Sequence, residues 1–257
     1  MLIATFNCNS IRVRLEVILA WLARHRPDVL AIQETKCPDG QFPAEAFAQA
    51  GWQVAFRGQK AYNGVAVVSR ETPDEVTFGL GDDDESQTRL ACVRLGELYV
   101  LNTYVPQGDE LGCEKFRFKL RWLARLGAYL RQRFDPKASK LVWVGDLNVA
   151  PTEIDVYDPR SLWPHVCFCQ EAIDALASVV SWGFVDVFRK HLPGEGVYTF
   201  WDYRLPRAVQ RNLGWRLDHV YATEPVAARS TGCFVDVEPR KADRPSDHTF
   251  VAATFDL

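Results

Sequence analysis

The chain has 257 residues, 47% of them hydrophobic and 25% charged, with eight Trp. This is the make-up of a globular protein able to bury roughly 73% of its unfolded surface, and it excludes bulk disorder. No apolar run approaches the ~20 residues of a membrane helix, and the N-terminus lacks a basic n-region and cleavage site; the chain is therefore expected to begin at Met1, in the cytosol and off the membrane. The net charge of −3, taken as an average, argues against a polyanionic partner.

In chain order, the apolar run 2–6 is the first predicted strand. Ser10 caps a predicted helix with Ile11, Leu15, Ile18, Leu19 and Leu22 on one face, ended by Pro27. Strands are predicted at 29–33, 52–56, 64–69, 89–95 and 97–105. The stretch 114–134 reads as a helix with Phe116, Leu120, Leu123, Leu130 and Phe134 on its apolar stripe, and Lys115, Arg117, Lys119, Arg121, Arg125, Arg131 and Arg133 mostly outside it. A strand at 141–145 precedes a helix over about 170–182 that stops at Gly183, and strands at 184–188, 216–222 and 249–255 complete the pattern. No linker or repeat divides the chain, so one domain over 1–257 is expected, with a two-layered sheet core and helices on its outer faces. Seven scattered Cys without a CxxC pair predict reduced, buried thiols.

Chemistry collects where apolar strands end. Asn7, Gln33-Glu34, Tyr104, Asp146-Leu147-Asn148 and Ser246-Asp247-His248 all flank predicted strands, and Asp218 sits inside one. A lone Asp or Asn after a strand is usually a turn residue. An Asp between Leu217 and Val220 is costly to bury unless it is hydrogen-bonded or coordinated. Four carboxylates (Glu34, Asp146, Asp218, Asp247) with amides, a phenol and an imidazole form an oxygen-rich set without Cys, which suits Mg²⁺ or Mn²⁺ rather than zinc. Such a set supplies a base for water, a charge stabiliser and leaving-group assistance, the needs of phosphodiester hydrolysis.

The stretches Asn7-Cys8-Asn9-Ser10-Ile11-Arg12, Gln33-Glu34-Thr35-Lys36, Asn63-Gly64-Val65-Ala66, Asn102-Thr103-Tyr104-Val105-Pro106-Gln107-Gly108, Gly145-Asp146-Leu147-Asn148-Val149-Ala150-Pro151, Trp201-Asp202-Tyr203, Gly214-Trp215-Arg216-Leu217-Asp218 and Pro245-Ser246-Asp247-His248-Thr249 together resemble the exonuclease III family of abasic-site endonucleases. The resemblance runs from residue 2 to 255 in the family's order. It implies an α/β fold, a four-layered α/β sandwich of two packed mixed β-sheets flanked by helices. By the same resemblance Glu34 is the main metal ligand, with Asn7 and Asn9 near it and Asp247 a further metal or water ligand. Asp146 corresponds to the residue that activates water, Asn148 and Tyr104 to phosphate contacts, and Asp218 to the carboxylate that orients His248; Gln107 joins the substrate contacts.

The segment 200–217 interleaves Phe200, Trp201, Tyr203 and Trp215 with Arg204, Arg207, Arg211 and Arg216. The resemblance makes Phe200, Trp215 and Leu217 an apolar pocket for a sugar lacking its base, which is cheap to flip out of a duplex, and the four Arg contacts to the DNA backbone. The expected enzyme is a Mg²⁺-dependent DNA-repair nuclease, a monomer acting on double-stranded DNA with abasic sites or blocked 3′ ends. Alternatives are a related hydrolase of small-molecule or lipid phosphates, and a DNA-binding module without catalysis. His219 stands where the family commonly has an aromatic residue, Val166-Cys167-Phe168-Cys169-Gln170 has no assigned role, and His25, His165 and His191 read as surface or structural. Apart from Asp82-Asp83-Asp84-Glu85 and the four candidate carboxylates, the chain is net basic, with basic residues concentrated at 114–133 and 203–217, so its average charge does not argue against DNA.

Overall fold

The protein is described by a computed structural model covering residues 1–81 and 87–257; the acidic run at 82–85 lies outside the described residues. The first half builds β1 (Leu2–Asn7), α1 (Ile11–His25), β2 (Val29–Gln33), α2 (Ala44–Gln49), β3 (Gln53–Arg57), β4 (Val65–Ser69), β5 (Glu75–Phe78), β6 (Leu90–Leu95) and β7 (Leu98–Tyr104). Next come α3 (Glu114–Arg133), β8 (Lys140–Asp146), α4 (Pro159–Leu162), α5 (Gln170–Val180), β9 (Phe184–Asp186) and α6 (Val187–His191). The chain closes with β10 (Asp218–Thr223), α7 (Glu224–Ala227), β11 (Ser230–Asp236) and β12 (Phe250–Phe255).

The strands form two six-stranded sheets, ordered β11-β12-β1-β2-β4-β3 and β5-β6-β7-β8-β10-β9. Both are mixed: β1 runs parallel to β2 and β7 to β8, and the other pairs are antiparallel. Between the sheets lies an apolar layer that includes Val29, Ala31, Val65 and Val67 from one sheet and Val100, Val142, Val144 and Val220 from the other. The opposite face of the first sheet is covered by α1 and α2 through Ile18, Trp21, Leu22 and Phe47. That of the second is covered by α3 and α5 through Leu123, Leu126, Leu130, Leu176 and Val179. This is the expected four-layered α/β sandwich.

One polar tie crosses the apolar middle. The buried Asn102 amide on β7 donates to the Ile32 and Ala66 carbonyls of the other sheet at 3.0 and 2.9 Å, and its oxygen accepts from Gln33 Nε2 at 2.7 Å. All the polar atoms of the Asn102 amide are thereby satisfied, so the tie fixes one sheet against the other without orphaning that amide.

Several local expectations change. Ser10 makes no side-chain cap bond; its φ is 103°, and its N–H donates to the Glu34 carbonyl at 2.8 Å. The predicted strand at 184–188 is only three residues long, because Asp186 caps α6 by accepting from Arg189 N–H at 3.0 Å. The expected reduced cysteines are all free thiols, with Cys113 and Cys233 only half-buried. Among the described residues no helix is long and apolar enough to cross a membrane.

Candidate active site

Strand register brings the site together at one end of both sheets. Asp146 ends β8, beside Tyr104 at the end of β7 and opposite Asp218 at the start of β10. Asn7 ends β1 opposite Gln33, and Glu34 follows. The β7–β8 pairing is close at this end: Gly145 has φ 141°, and a Cβ there would lie 2.0 Å from the Thr103 carbonyl oxygen, so only glycine fits before Asp146. Glu34, Asn9 and Asn148 all take left-handed backbone (φ 51°, 44° and 50°). Asn tolerates this conformation readily and Glu does not, which marks Glu34 as held there by its surroundings.

Asn7, fully buried, joins the two halves of the site: its amide donates to Glu34 Oε1 and to Asp146 Oδ2, both at 2.8 Å. Lys36 Nζ lies 2.7 Å from Glu34 Oε2 and 2.6 Å from Asn9 Oδ1, and Asn9 in turn donates to Asp247 Oδ1 at 3.0 Å. Burial opposes the Glu34 charge, but Lys36 and the Asn7 amide more than offset it and hold the carboxyl below its ordinary range.

Asp218 accepts from His248 Nδ1 at 2.7 Å, which leaves His248 Nε2 facing Asp146 Oδ2 at 3.6 Å. Burial works against the imidazolium; the Asp218 and Asp146 charges overcome it and raise its pKa. Asp146 is pushed above the usual carboxylate range by burial first and by the charges of Asp218 and Glu34, with His248 pulling the other way. Asn148 caps Asp146, its backbone N–H donating to Oδ1 at 2.9 Å and its amide reaching Oδ2 at 3.2 Å. The Tyr104 phenol is driven well above its ordinary pKa by burial and by Glu34 and Asp146, so it is a neutral donor; Arg89 lies over its ring at 4.7 Å.

A cavity of about 430 Å³ opens onto this cluster. Of the residues expected from sequence, Glu34, Tyr104, Gln107, Asp146, Asn148, Phe200, Arg204, Trp215, Leu217, Asp247 and His248 line it. Asn7 and Asp218 lie fully buried behind it, and Asn9 connects to it through Asp247. Phe200 packs on His248 at 4.9 Å between ring centroids.

The arginines divide. Arg204 lines the cavity, paired with Asp202 at 2.6 Å, and Arg207 and Arg211 are exposed on the turns that follow. Arg216 departs from the expected backbone contact: it is 1% exposed, bound to Asp155 at 2.6 Å and Asp186 at 2.8 Å, and stacked under Phe188. Its position between Trp215 and Leu217 places it on the inward side of the segment, where it anchors the pocket from below.

Other residues at the site were not expected there. His165 lines the cavity and packs on Trp215 at 4.9 Å, and Cys167 lines it beside Asn148. Burial, with Lys119 and Arg204 nearby, lowers the His165 pKa and keeps it neutral. Lys119, expected among the outward basic residues of α3, is completely buried. His219 is also buried and neutral, its Nε2 2.9 Å from the Val149 carbonyl and its ring parallel to Tyr221. Its flat ring stands in for the aromatic residue that the resemblance leads one to expect at this position.

A family model for the Endonuclease/Exonuclease/phosphatase family matches residues 4–248. The exodeoxyribonuclease III of Haemophilus influenzae is 31% identical over 264 residues, 98% of each chain. An AP endonuclease from Archaeoglobus fulgidus has the same fold with a TM-score of 0.97 at 46% identity over the full length of both chains. The 3′ phosphatase NExo from Neisseria, in a structure with a product DNA hairpin, gives 0.95 and 37%, again over both full lengths. With the motif resemblance now matched by whole-chain similarity in sequence and fold, the chain belongs to the exonuclease III family within the endonuclease/exonuclease/phosphatase superfamily and is a DNA-repair nuclease.

Proposed function

We propose that this nuclease hydrolyses the phosphodiester on the 5′ side of an abasic site in duplex DNA, leaving a 3′-hydroxyl, and trims 3′ ends at the same site. It acts as a single-domain monomer and depends on Mg²⁺ or Mn²⁺. The observation that carries the reading is the apolar slot of Phe200, Trp215 and Leu217 sharing one cavity with Asp146 and His248. Such a slot accepts a base-free sugar, while hydrolytic groups stand at its phosphate.

The donor set fits a hard divalent cation. Glu34 and Asp247 offer carboxylate oxygens and Asn7 and Asn9 amide oxygens, and the Lys36 ammonium, 2.7 Å from Glu34 Oε2 and 2.6 Å from Asn9 Oδ1, shows that these oxygens are arranged to face a cation. Glu34 would hold the ion, with Asn7, Asn9 and Asp247 around it. When bound, the ion absorbs charge on the phosphate oxygens and the departing alkoxide.

In the reaction Asp146, made more basic by its surroundings, takes a proton from the attacking water. The His248 imidazolium, held by Asp218, donates from Nε2 to a non-bridging phosphate oxygen as negative charge builds there. Asn148 orients Asp146, and the neutral Tyr104 phenol donates to the phosphate. Arg204, Arg207 and Arg211 supply charge for the flanking backbone.

A second reading shares the chemistry but not the preferred substrate. It takes the site to process 3′ ends rather than internal abasic sites, and what supports it is His165, which lines the cavity against Trp215, one wall of the proposed slot. One assay separates these readings: duplexes bearing an internal abasic site, a 3′-phosphate or a recessed 3′ end, each with Mg²⁺ and with EDTA. Faster incision at the abasic site supports the first reading and faster 3′-phosphate release the second. Turnover of small or lipid phosphodiesters in preference to all three duplexes would overturn both.

A further inference from the structure

Lys119 lies on α3, a helix whose other basic residues are exposed or half-exposed, yet it is fully buried. An ammonium taken out of water costs several kcal/mol unless every N–H finds a partner. Here all three do: Nζ donates to the carbonyls of Gln107 at 3.2 Å, Asn148 at 2.7 Å and Val166 at 2.5 Å. No carboxylate pairs with it among the described residues.

The three acceptors come from three separate segments: the loop after β7, the loop after β8, and the turn that closes on the His165–Phe168 bridge. Each segment sends side chains into the active-site cavity, namely Gln107, Asn148, His165 and Cys167. The last two segments also meet directly, through Ala150 N–H donating to the Cys167 carbonyl at 2.7 Å. A methionine would fill the same space in the helix packing but would leave the carbonyls without a donor. A glutamine offers two donors rather than three.

We infer that Lys119 is a positioning residue for the nuclease reaction, a single three-donor centre that fixes the loops bearing Gln107, Asn148 and His165 relative to one another. It touches no substrate. Its contribution is to geometry at the phosphate, where a displacement of about 1 Å can cost about 10²-fold in rate.

The test compares Lys119→Met, Lys119→Gln and wild type as Mg²⁺-loaded full-length enzymes, on whichever DNA duplex wild type cleaves fastest. For Lys119→Met, kcat per folded molecule should fall about 10- to 100-fold with KM within about threefold, and Lys119→Gln should recover part of the loss. Amide hydrogen exchange should speed up at residues 105–110, 147–151 and 163–168 and stay at wild-type levels in the central strands. Wild-type kcat at equal folded fraction, a change in KM alone, or unaltered exchange in those three segments would each overturn the assignment. If Lys119→Met does not fold, Lys119→Gln decides: a reduced kcat with faster exchange in the same segments supports the role, and wild-type values for both refute it.

Discussion

Asp146 and Asp218 face each other directly across the antiparallel β8–β10 pair, and the His248 imidazole spans them, 2.7 Å from Asp218 and 3.6 Å from Asp146. Two buried carboxylates in register repel, so the arrangement needs a cation between them. Substituting Asp218→Asn removes the group that keeps His248 charged and oriented. We expect kcat to fall by about 10²-fold or more with little change in DNA affinity, following the cost of losing a single charge-stabilising donor. A variant that cleaves at the wild-type rate would show that Asp218 is only a fold residue.

Asp146→Asn keeps the shape and can still accept from the Asn148 backbone N–H through its one remaining oxygen, but its NH2 cannot accept from the Asn7 and Asn148 amides, and the proposed base is gone. Turnover should drop about 10²–10⁴-fold while binding to uncleaved duplex persists. Single-turnover rates alongside a fluorescence-anisotropy titration check this, and matched losses in rate and binding would assign Asp146 to substrate affinity instead.

Leu217→Trp fills the apolar slot next to Phe200 and Trp215. Incision at an internal abasic site should suffer more than removal of a 3′-phosphate, because only the former places a sugar deep in the slot. Parallel rate measurements on the two substrates give the ratio, and an unchanged ratio means the slot does not read the lesion.

The buried Arg216 predicts a stability effect. Arg216→Met leaves Asp155 with Arg189 as its remaining cationic partner and removes a partner from Asp186. Breaking such a pair costs about 3–5 kcal/mol, measurable by urea unfolding; a loss below about 1 kcal/mol would mean that Arg189 compensates.

Asp155 also carries a pH dependence. Burial raises its pKa, but Arg216, Thr152 and Arg189 outweigh this and bring it down to about 2 from 3.8. A depressed carboxylate stabilises the fold above its unfolded pKa, and that contribution, about 2 kcal/mol, disappears as pH falls from about 4 towards 2. Wild type should therefore lose stability across that window more steeply than Asp155→Asn. Parallel acid-unfolding curves would contradict the assignment.

The interior of the fold was legible because central strands such as β1, β2, β4 and β8 are nearly continuous buried runs. The strands missed were β5 and β11, both at sheet edges. Residues such as Glu75, Thr77, Thr231 and Asp236 break their apolar pattern, as befits strands with one free side. The clustering of the candidate site residues was legible because strand ends deliver them and each sits in a motif. Lys119, His165 and Cys167 were not: nothing in a sequence distinguishes a lysine that turns inward to three carbonyls from its solvated neighbours on the same helix. Arg216 misled for the opposite reason, since an arginine among aromatic residues suggests DNA until its two carboxylate partners, buried Asp155 and half-buried Asp186, come into view.

The Asn102 tie between the sheets bears on how the enzyme fails. Glu34 belongs to one sheet, Asp146 and Asp218 to the other, and Asn7 reaches across to join them. Any denaturing event that lets the sheets slide must first break the Asn102 amide's three bonds, and it then takes the proposed catalytic groups apart in the same motion. Activity in this protein is thus a faithful reporter of the intact sandwich: on heating, nuclease function and tertiary structure should be lost at one temperature, with no inactive but folded stage between.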